Sequence, residues 1–503
     1  MRILLVYPEC PPALWSFKYA MRYFGKKAMY PPLGLLTVAA MLPKRWPMKL
    51  IDMNTDTLRE EDLRWADYVF ISAMVIQKKS VHEVVERCKN LQVKVVAGGP
   101  LFNLEPESFP DVDHLVLNEA EVTLPLFLSD LDKGCAKHIY SSPEWPDLTQ
   151  TPIPSWDLID FSKYASLSVQ YSRGCPFDCE FCDIVLLNGH RPRTKSSDQI
   201  LAELDALYRR GWRGSVFLVD DNFVGNKRKL KTEILPAIIG WMCQREFPFS
   251  LCTQASINLA DDDELMRLMA EAGFTGLFVG IESPNEGSLV EAGKVPNLGS
   301  DLLASVKKIH SHGMAIWGGF VVGFDSDPPS IFDEQINFIQ KSGIVPVMVS
   351  LLGAPPGTKL YQRLKKENRI VKGNYSGDIS ECSTNIIPKM GYKKLIEGHK
   401  RMLRSIYSPK SYYERCKILV TDYEPHWKGH SGLQLVYLTS LLKSVWFLGI
   451  RGSGREYYWK LFIWILFRKP TAFWYAAYLQ LIGSHLRRVA EDYVKTPILE
   501  VNP

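Results

Sequence analysis

The chain has 503 residues, of which 46% are hydrophobic and 23% are charged. This length predicts two or three domains, and this composition excludes general disorder. The net charge of +5 is small for a chain of this size, and the basic residues form no single-sign tract, so no nucleic-acid partner is expected. Ten cysteines without a secretory leader predict a cytoplasmic protein with reduced thiols.

Residues 1–140 alternate short apolar runs with helical patterns. The runs are RILLVY, MKLID, YVFIS, VKVVA and HLVL. Such alternation predicts a doubly wound, Rossmann-like α/β domain with a parallel sheet, which binds ligands at the carboxyl ends of its strands. The loop after the first strand, YPECPPALW, lacks the G-x-G-x-x-G phosphate turn. NAD is therefore not the expected ligand.

A proline-rich linker and a second βα series follow. Residues 141–165 contain four prolines and little periodicity, which is typical of a linker. Residues 166–372 contain six further apolar runs, namely SLSVQY, SVFLV, FSLCT, GLFVGI, MAIWGGFVVGF and VPVMVSLL. Six such units predict a partial (βα)6 TIM-like barrel with its chemistry at the carboxyl ends of the strands. Ser196 and Gln199 have the spacing of a helix capping box.

Residues 373–503 are predicted to form a helical, aromatic-rich carboxyl-terminal domain. Between Ser431 and Ile482 lie four tryptophans and six basic residues against one acidic residue. Runs such as LFIWILF are shorter than the roughly 20 apolar residues needed to span a bilayer. This pattern predicts peripheral association with a membrane surface. The alternative is a helical cap that closes the barrel mouth.

Three cysteines are crowded into the stretch YSRGCPFDCEFCDI, directly after the first barrel strand. Cys175, Cys179 and Cys182, here called the cysteine triad, form a C-x3-C-x2-C pattern. Three thiolates can hold three irons of a [4Fe–4S] cluster and leave the fourth iron open to another ligand. The alternative is a zinc site completed by a distant His190 or Cys252.

This spacing at this position resembles the radical SAM enzymes. The resemblance implies that S-adenosylmethionine (SAM) binds the open iron, and that one electron from an external donor cleaves it to a 5'-deoxyadenosyl radical able to take hydrogen from unactivated carbon. It also implies a set of SAM-binding residues: Phe181 before the last cysteine, Asp220, Asp221 and Asn222 where the family usually has Gly-Gly-Glu, Glu282 in FVGIES, and Gly318 and Gly319 in GGFVVGF.

Two of these assignments have structural alternatives. Asp220 and Asp221 are also typical of a helix-capping turn, because acidic residues are common at helix starts. Glu282 is also compatible with a salt bridge inside the barrel.

The amino-terminal domain resembles the cobalamin-binding domain found before some radical SAM barrels. The segments YPPLGLLTVAAML, ISAMVIQKKS, VAGGP and LNEAEVT carry this resemblance. It implies cobalamin contacts from Ser72, Met74, Gln77, Gly98, Gly99 and Glu119. The D-x-H-x-x-G motif is absent from the sequence, so we expect no histidine on cobalt. The alternative is a vestigial domain that serves only as a scaffold.

The order of domains and motifs resembles the hopanoid C-2 methylase group. SRGCPFDCEFCDI, VDDNFVGNKRK and LLGAPPGTKLYQRL carry the likeness. It implies a cobalamin-dependent radical SAM methyltransferase that acts on an unactivated carbon of a lipid or isoprenoid-like substrate. The alternatives are a radical SAM lipid cyclase or carbon–carbon coupling enzyme, and a cobalamin- or metal-binding sensor without enzymatic activity. Arg191, Arg193 and Lys195 are expected either to contact anionic groups of SAM or cobalamin or to form a solvated loop.

Overall fold

The computed structural model describes residues 1–371, 383–424 and 435–497, and in 435–437 only the backbone. The predicted domain boundary between 372 and 373 and the first residues of the predicted tail, 431–434, lie outside the described residues. Within the described parts, two parallel sheets are followed by a set of helices.

The first sheet has six parallel strands in the order β2-β1-β3-β4-β5-β6. Buried side chains pack on both faces of this sheet, so the predicted doubly wound, Rossmann-like domain is confirmed. The short last strand was not anticipated. The elements are β1 Ile3–Tyr7, α1 Lys18–Phe24, α2 Leu33–Met41, β2 Met48–Asp52, α3 Glu60–Trp65, β3 Tyr68–Ser72, α4 Lys78–Asn90, β4 Lys94–Gly98, α5 Pro100–Leu104, β5 His114–Val116, α6 Ala120–Asp132 and β6 Ile139–Tyr140.

The second sheet is the predicted six-stranded partial barrel. Its strands are parallel in the order β14-β13-β12-β11-β10-β7, and a separate two-stranded hairpin, β8 with β9, follows the first of them. The elements are β7 Ser166–Val169, β8 Ser172–Arg173, α7 Ile184–Asn188, β9 Arg193–Thr194, α8 Ser197–Arg209, β10 Ser215–Leu218, α9 Lys227–Lys229, α10 Leu235–Gln244, β11 Ser250–Gln254, α11 Asp263–Glu271, β12 Phe274–Glu282, α12 Glu286–Glu291, α13 Leu302–Ser311, β13 Ala315–Val322, α14 Ile331–Ser342, β14 Val347–Leu351 and α15 Lys359–Lys366.

The predicted capping box opens helix α8. The Ser196 hydroxyl accepts a hydrogen bond from the backbone N–H of Gln199 at 3.3 Å, and the Gln199 side chain accepts one from the backbone N–H of Ser196 at 3.1 Å. Two N–H groups that have no partner within the helix are thereby satisfied.

The linker between the sheets is packed against both domains. Trp156 and Tyr164 are each only 1% exposed, and Tyr164 forms a parallel bridge with Ala28. The Tyr164 hydroxyl donates to Asp52 of the first domain at 2.9 Å. The linker therefore helps to fix the first sheet against the barrel.

Among the described residues five helices follow the barrel. They are α16 Tyr392–Ile406, α17 Pro409–Asp422, α18 Leu435–Ser444, α19 Arg455–Arg468 and α20 Phe473–Lys495. All of them except α18 contribute to the hydrophobic core of the barrel. One continuous core includes residues of the barrel, of α1 and of α20. None of the helices in the described residues is long and apolar enough to cross a membrane.

Candidate active site

The cysteine triad lies on the loop between β7 and α8, here called the cysteine loop (residues 170–195). The hairpin of β8 and β9 closes this loop at its base. Gly174 has a φ of 97°, and a Cβ there would lie 2.7 Å from the Arg191 carbonyl oxygen, so only glycine fits. The Cys175 N–H then donates to the Gly189 carbonyl at 3.2 Å. The loop thus folds back on itself beside the first cysteine.

All three thiols are free and partly buried. Burial raises the pKa of each thiol above its ordinary value, and that of Cys182 to about 12. The nearby Lys294 ammonium acts in the opposite direction on all three pKa values but does not outweigh burial. Among the described residues, no three His, Cys, Asp or Glu side chains converge on one metal position. In a [4Fe–4S] cluster each thiolate binds its own iron, so three cysteines on one short loop are a donor set that fits a cluster with one open iron.

Asp220 and Asp221 follow β10 and hold the cysteine loop. Asp220 is fully buried and accepts hydrogen bonds from the backbone N–H of Ser172 and from its hydroxyl, the latter at 2.6 Å. Asp221 accepts from the Gly174 N–H at 2.7 Å and from the Asn188 side chain at 2.9 Å. These partners belong to the loop and not to the first turn of a helix, so the capping alternative is wrong.

Asn222 connects the same strand end to the triad. Its side-chain amide donates to the Ser256 hydroxyl at 3.3 Å and lies 4.0 Å from the Cys175 sulfur. Asn222 is 4% exposed. The predicted three-residue motif thus surrounds the base of the cysteine loop.

Glu282 ends β12 in an unusual backbone conformation. Its φ is 61°, the strand pairing is irregular there, and its carboxylate accepts a hydrogen bond from Lys294 at 2.7 Å. A Cβ at position 280 would lie 2.2 Å from this carboxylate, so Gly280 makes room for the ion pair. Burial lowers the pKa of Lys294, but Glu282, Cys179 and Cys182 raise it above its ordinary value. Glu282 therefore forms the salt bridge of the alternative interpretation and places a cation beside the triad.

An ion-pair network joins the cysteine loop to the first domain. Arg173 contacts both Glu119 and Glu121 of the first domain, with 2.8 Å between Arg173 Nη2 and Glu121 Oε1. All three side chains are at most 14% exposed. Burial raises the pKa of Glu121, but Arg173 lowers it below its ordinary value. The predicted cobalamin residue Glu119 is thus already paired with a guanidinium.

The other basic residues of the cysteine loop were expected to contact anionic groups of a cofactor or to form a solvated loop. Two of them, Arg193 and Lys195, do neither. Arg193 pairs with Glu119, with 3.1 Å between Arg193 Nη1 and Glu119 Oε2. Lys195 is 3% exposed and pairs with Glu203 of α8. Arg191 is exposed. Arg193 and Lys195 therefore neither form a solvated loop nor present free cations to a ligand.

At the carboxyl edge of the first sheet, the predicted cobalamin residues divide into two groups. Met74 faces the space between the domains. Gln77 is fully buried and binds the backbone, donating to the Pro8 carbonyl at 2.5 Å. A Cβ on Gly98 would lie 2.6 Å from the Val116 carbonyl oxygen, and one on Gly99 would lie 2.8 Å from the Ser72 hydroxyl. These glycines are thus required by contacts within the domain itself.

A cavity of about 790 Å³ lies between the carboxyl edges of the two sheets. Its lining combines residues of the first domain, of the cysteine loop and of the barrel strands. The first domain contributes Tyr7, Cys10, Asn54 and Met74, the cysteine loop contributes Phe181, Cys182 and Asp183, β12 contributes Glu282, and further aromatic side chains in the lining are Trp15, Phe17, Tyr30, Phe217, Phe278 and Trp317.

The cavity gathers only part of the predicted site. Its lining includes Met74, Phe181, Cys182, Glu282 and Gly319, and the remaining predicted residues lie outside it. The sequence interpretation missed the segment between β1 and α2, whose aromatic residues line the cavity. It also missed Lys294, which pairs with Glu282. No local sequence pattern distinguishes these residues from ordinary core or surface positions.

Three family models match the chain. Residues 27–128 match a B12 binding domain, residues 169–339 match the radical SAM superfamily, and residues 358–497 match a domain of unknown function, DUF4070. The first two matches coincide with the first sheet and with the barrel that carries the cysteine triad.

The hopanoid C-2 methylase of Rhodopseudomonas palustris is 32% identical over 471 residues, which cover 91% of this chain and 88% of the relative. The chain belongs to this cobalamin-dependent radical SAM family. An uncharacterized methyltransferase of Synechocystis sp. is 39% identical over 478 residues, covering 94% of this chain and 89% of that protein. The prediction of a cobalamin-dependent radical SAM methyltransferase is thereby confirmed, and the interpretation as a sensor without enzymatic activity is disfavoured.

A solved structure has the same fold as this member of the family. The cobalamin-dependent SAM radical enzyme OxsB, solved with aqua-cobalamin and SAM bound, superposes with a TM-score of 0.62 at 17% identity, over 98% of this chain and 84% of that one. The likeness shows that the fold extends over nearly the whole chain. With the B12-binding and radical SAM domains both present, the predicted cofactors, a [4Fe–4S] cluster, SAM and cobalamin, are confirmed for this family member.

Proposed function

We propose that this enzyme methylates an unactivated carbon of a lipid or isoprenoid-like substrate, which binds in the cavity against its aromatic side chains. The observation that carries this proposal is the set of aromatic side chains that both domains contribute to the cavity lining. Ligand sites lined mainly by apolar side chains with few polar groups select ligands that are themselves mainly apolar. The hopanoid methylase relative acts, by its name, on such a molecule.

The cavity lining contains residues that we assign to each cofactor. We assign the cysteine triad to the cluster, and Phe181, Glu282 and Gly319 to direct contacts with SAM, because these three residues line the same cavity as Cys182. Asp220, Asp221, Asn222 and Gly318 lie outside the lining, and we assign the three polar residues to holding the cysteine loop. We assign Met74, which faces the space between the domains, to contact with cobalamin. The other predicted cobalamin residues, Ser72, Gln77, Gly98, Gly99 and Glu119, support its loop and helix.

When bound, these cofactors supply the abstraction of hydrogen from an unactivated carbon and the methyl group that replaces it. The residues of the chain contribute the surroundings. Aromatic side chains from both domains exclude water from the part of the cavity that they line. This exclusion protects a reactive carbon from side reactions. Against the raising effect of burial, the Lys294 ammonium, paired with Glu282, lowers the pKa of the Cys179 thiol and so favours the thiolate, whereas the Glu282 carboxylate raises this pKa.

We also propose that helix α18, the π-helical segment Val445–Ile450 that continues it, and helix α19 dock on a membrane surface. Leu438, Leu442, Trp446 and Ile450 form one exposed stripe at four-residue spacing along α18 and the π-helical segment, and Trp459, Ile463 and Phe467 form another on α19. The Trp459 indole N–H donates to the Gly449 carbonyl at 2.9 Å, so the two stripes are neighbours. We call them together the apolar face.

Positive charges accompany the apolar face. Arg451, Arg455, Lys460 and Arg468 are all exposed, and Arg451 lies 4.7 Å over the ring of Trp446. Aromatic rings favour the headgroup region of a bilayer, and basic side chains favour anionic lipids. This combination supports a membrane as the partner and a membrane-dissolved substrate.

The test of the methylation proposal is a mass measurement. The anaerobically assembled enzyme, a chemical or flavoprotein reductant and SAM with a trideuterated methyl group are incubated with a total lipid extract of the host. We expect one lipid to gain a trideuteromethyl group in place of one hydrogen. A cyclase or coupling enzyme would instead give a product that lacks two hydrogens and carries no label. A variant with alanine at the cysteine triad serves as control.

A further inference from the structure

The segment from Ala13 to Tyr30, between β1 and α2, forms one wall of the cavity and is here called the wall segment. Two ring pairs join it to barrel strands. Phe17 meets Trp317 of β13 edge to face, with 5.9 Å between ring centroids, and Tyr30 meets Phe217 of β10 at 5.1 Å. All four side chains line the cavity. The wall segment therefore bounds the cavity on the side that faces β10 and β13.

Phe17 has a strained backbone. Its φ is 50° and its ψ is 17°, in the left-handed region that bulky residues rarely adopt. Its side chain is nevertheless 2% exposed. Such conformations persist only where the surroundings hold them, and they concentrate at functional sites.

His485 of α20 holds the backbone on both sides of Phe17. Its Nε2 lies 3.1 Å from the Ala13 carbonyl oxygen and 3.2 Å from that of Leu14, and its Nδ1 lies 3.3 Å from the backbone nitrogen of Tyr19. Carbonyls only accept and a backbone N–H only donates, so the imidazole is neutral with its proton on Nε2. Burial lowers the pKa of His485 to about 4, in agreement with this form.

We infer that Phe17 and Trp317 determine the specificity for the apolar substrate, and that His485 is the positioning residue that keeps Phe17 against Trp317. The inference rests on the proposed apolar substrate. The two rings are in contact, one from the wall segment and the other from the strand facing it, and together they form one aromatic surface in the lining of the cavity. A rigid polycyclic molecule packs against this wall, and a change in either ring alters which molecules fit.

Dehydroergosterol, a fluorescent rigid tetracyclic apolar molecule, serves as the probe for this inference. Its dissociation constant is measured with the anaerobically assembled holoenzyme. We expect Phe17→Ala and Trp317→Ala each to weaken binding about tenfold or more, as loss of a buried ring contact predicts. The double variant should weaken it by less than the product of the two effects, because the rings act as a pair. Phe249→Ala, a buried phenylalanine outside the cavity lining, should leave the dissociation constant unchanged.

The positioning role is tested with two replacements of His485. His485→Phe keeps a ring without hydrogen bonds and should weaken probe binding about as much as Phe17→Ala. His485→Gln keeps one acceptor and one donor and should restore most of the affinity. His399→Phe is the matched control, because His399 is equally buried and hydrogen-bonded to the Val349 carbonyl at 2.9 Å. It should lower thermal stability without changing probe affinity.

The outcomes separate the inference from the function on which it rests. If the wild-type enzyme binds no probe, the apolar-substrate proposal fails and the inference fails with it. If the wild type binds, but the Phe17 and Trp317 variants that retain their iron and cobalamin bind equally well, only the inference is overturned. Equal weakening by His485→Gln and His485→Phe would remove the positioning role.

Discussion

Membrane docking by the apolar face can be tested by replacing two of its side chains. Phe467 is 83% exposed and Ile463 is 54% exposed, so serine at both positions removes apolar surface without opening the core. Complete burial of such a side chain is worth about 1.5–3 kcal/mol. Because only the exposed part enters the lipid, we take about 1.5 kcal/mol for each, or about 3 kcal/mol together, which predicts roughly 100-fold weaker binding to vesicles.

The assay is flotation with vesicles that contain anionic lipid. A control with Leu126→Ser and Ile153→Ser removes two similarly exposed side chains outside the apolar face, at 51% and 45% exposure, and should float like the wild type. Raising the salt concentration from 0.05 to 0.5 M should weaken binding about tenfold, because basic residues near the surface contribute about 1 kcal/mol each and salt screens them. Equal flotation of both double variants, or no flotation of the wild type at low salt, would refute the reasoning.

Four further predictions follow from the site. Alanine at the cysteine triad should abolish iron binding and SAM cleavage, and cleavage that persists would contradict the cluster assignment. Electron paramagnetic resonance of bound cob(II)alamin should show no splitting from an axial imidazole nitrogen, because the sequence lacks the D-x-H-x-x-G motif. Such splitting would disprove the expectation that no histidine binds cobalt. Arg173→Met should lower the free energy of unfolding by about 3–5 kcal/mol, because it leaves the buried Glu121 carboxylate without its cation while Glu119 keeps Arg193, whereas Arg64→Met, in an exposed pair, should change it by less than about 0.5 kcal/mol. Burial raises the pKa of Asp220 from 3.8 to about 7, so the folded state binds an extra proton between these values, and the free energy of unfolding should fall as pH rises from about 4 to 7 by up to roughly 4 kcal/mol. Asp220→Asn should flatten this dependence in urea titrations, and a wild-type curve that is already flat would contradict it.

The strands and the position of the cysteine triad could be predicted from the sequence because their signals are local. A buried parallel strand is a short apolar run, and the triad lies within eight consecutive residues. The orientation of polar side chains at the strand ends could not be predicted. Asp220 sits at the expected strand end, yet its carboxylate binds Ser172, which lies 48 residues earlier. Glu282 forms the predicted salt bridge with Lys294 and also lines the cavity, so its contact with SAM stays a prediction.

The role of the wall segment could not be predicted from the sequence for a related reason. Trp15, Phe17 and Tyr30 occur in a loop whose prolines indicate only irregular structure. Their role depends on strands about 200 to 300 residues later in the chain, and no periodicity records such contacts. Long-range packing, rather than local propensity, decided this part of the site.

The contact between the first and last helices has a consequence for how the chain is made. The backbone of Tyr19 meets His485 466 residues later, and the Tyr23 carbonyl accepts from Ser440 417 residues later. Domains emerge from the ribosome in order, at roughly 5–20 residues per second. The wall segment must therefore wait about half a minute or more for α20, while the first sheet and the barrel have already been synthesised. During that interval the contacts with His485 and Ser440 cannot form, so this boundary of the cavity is fixed only near the end of synthesis.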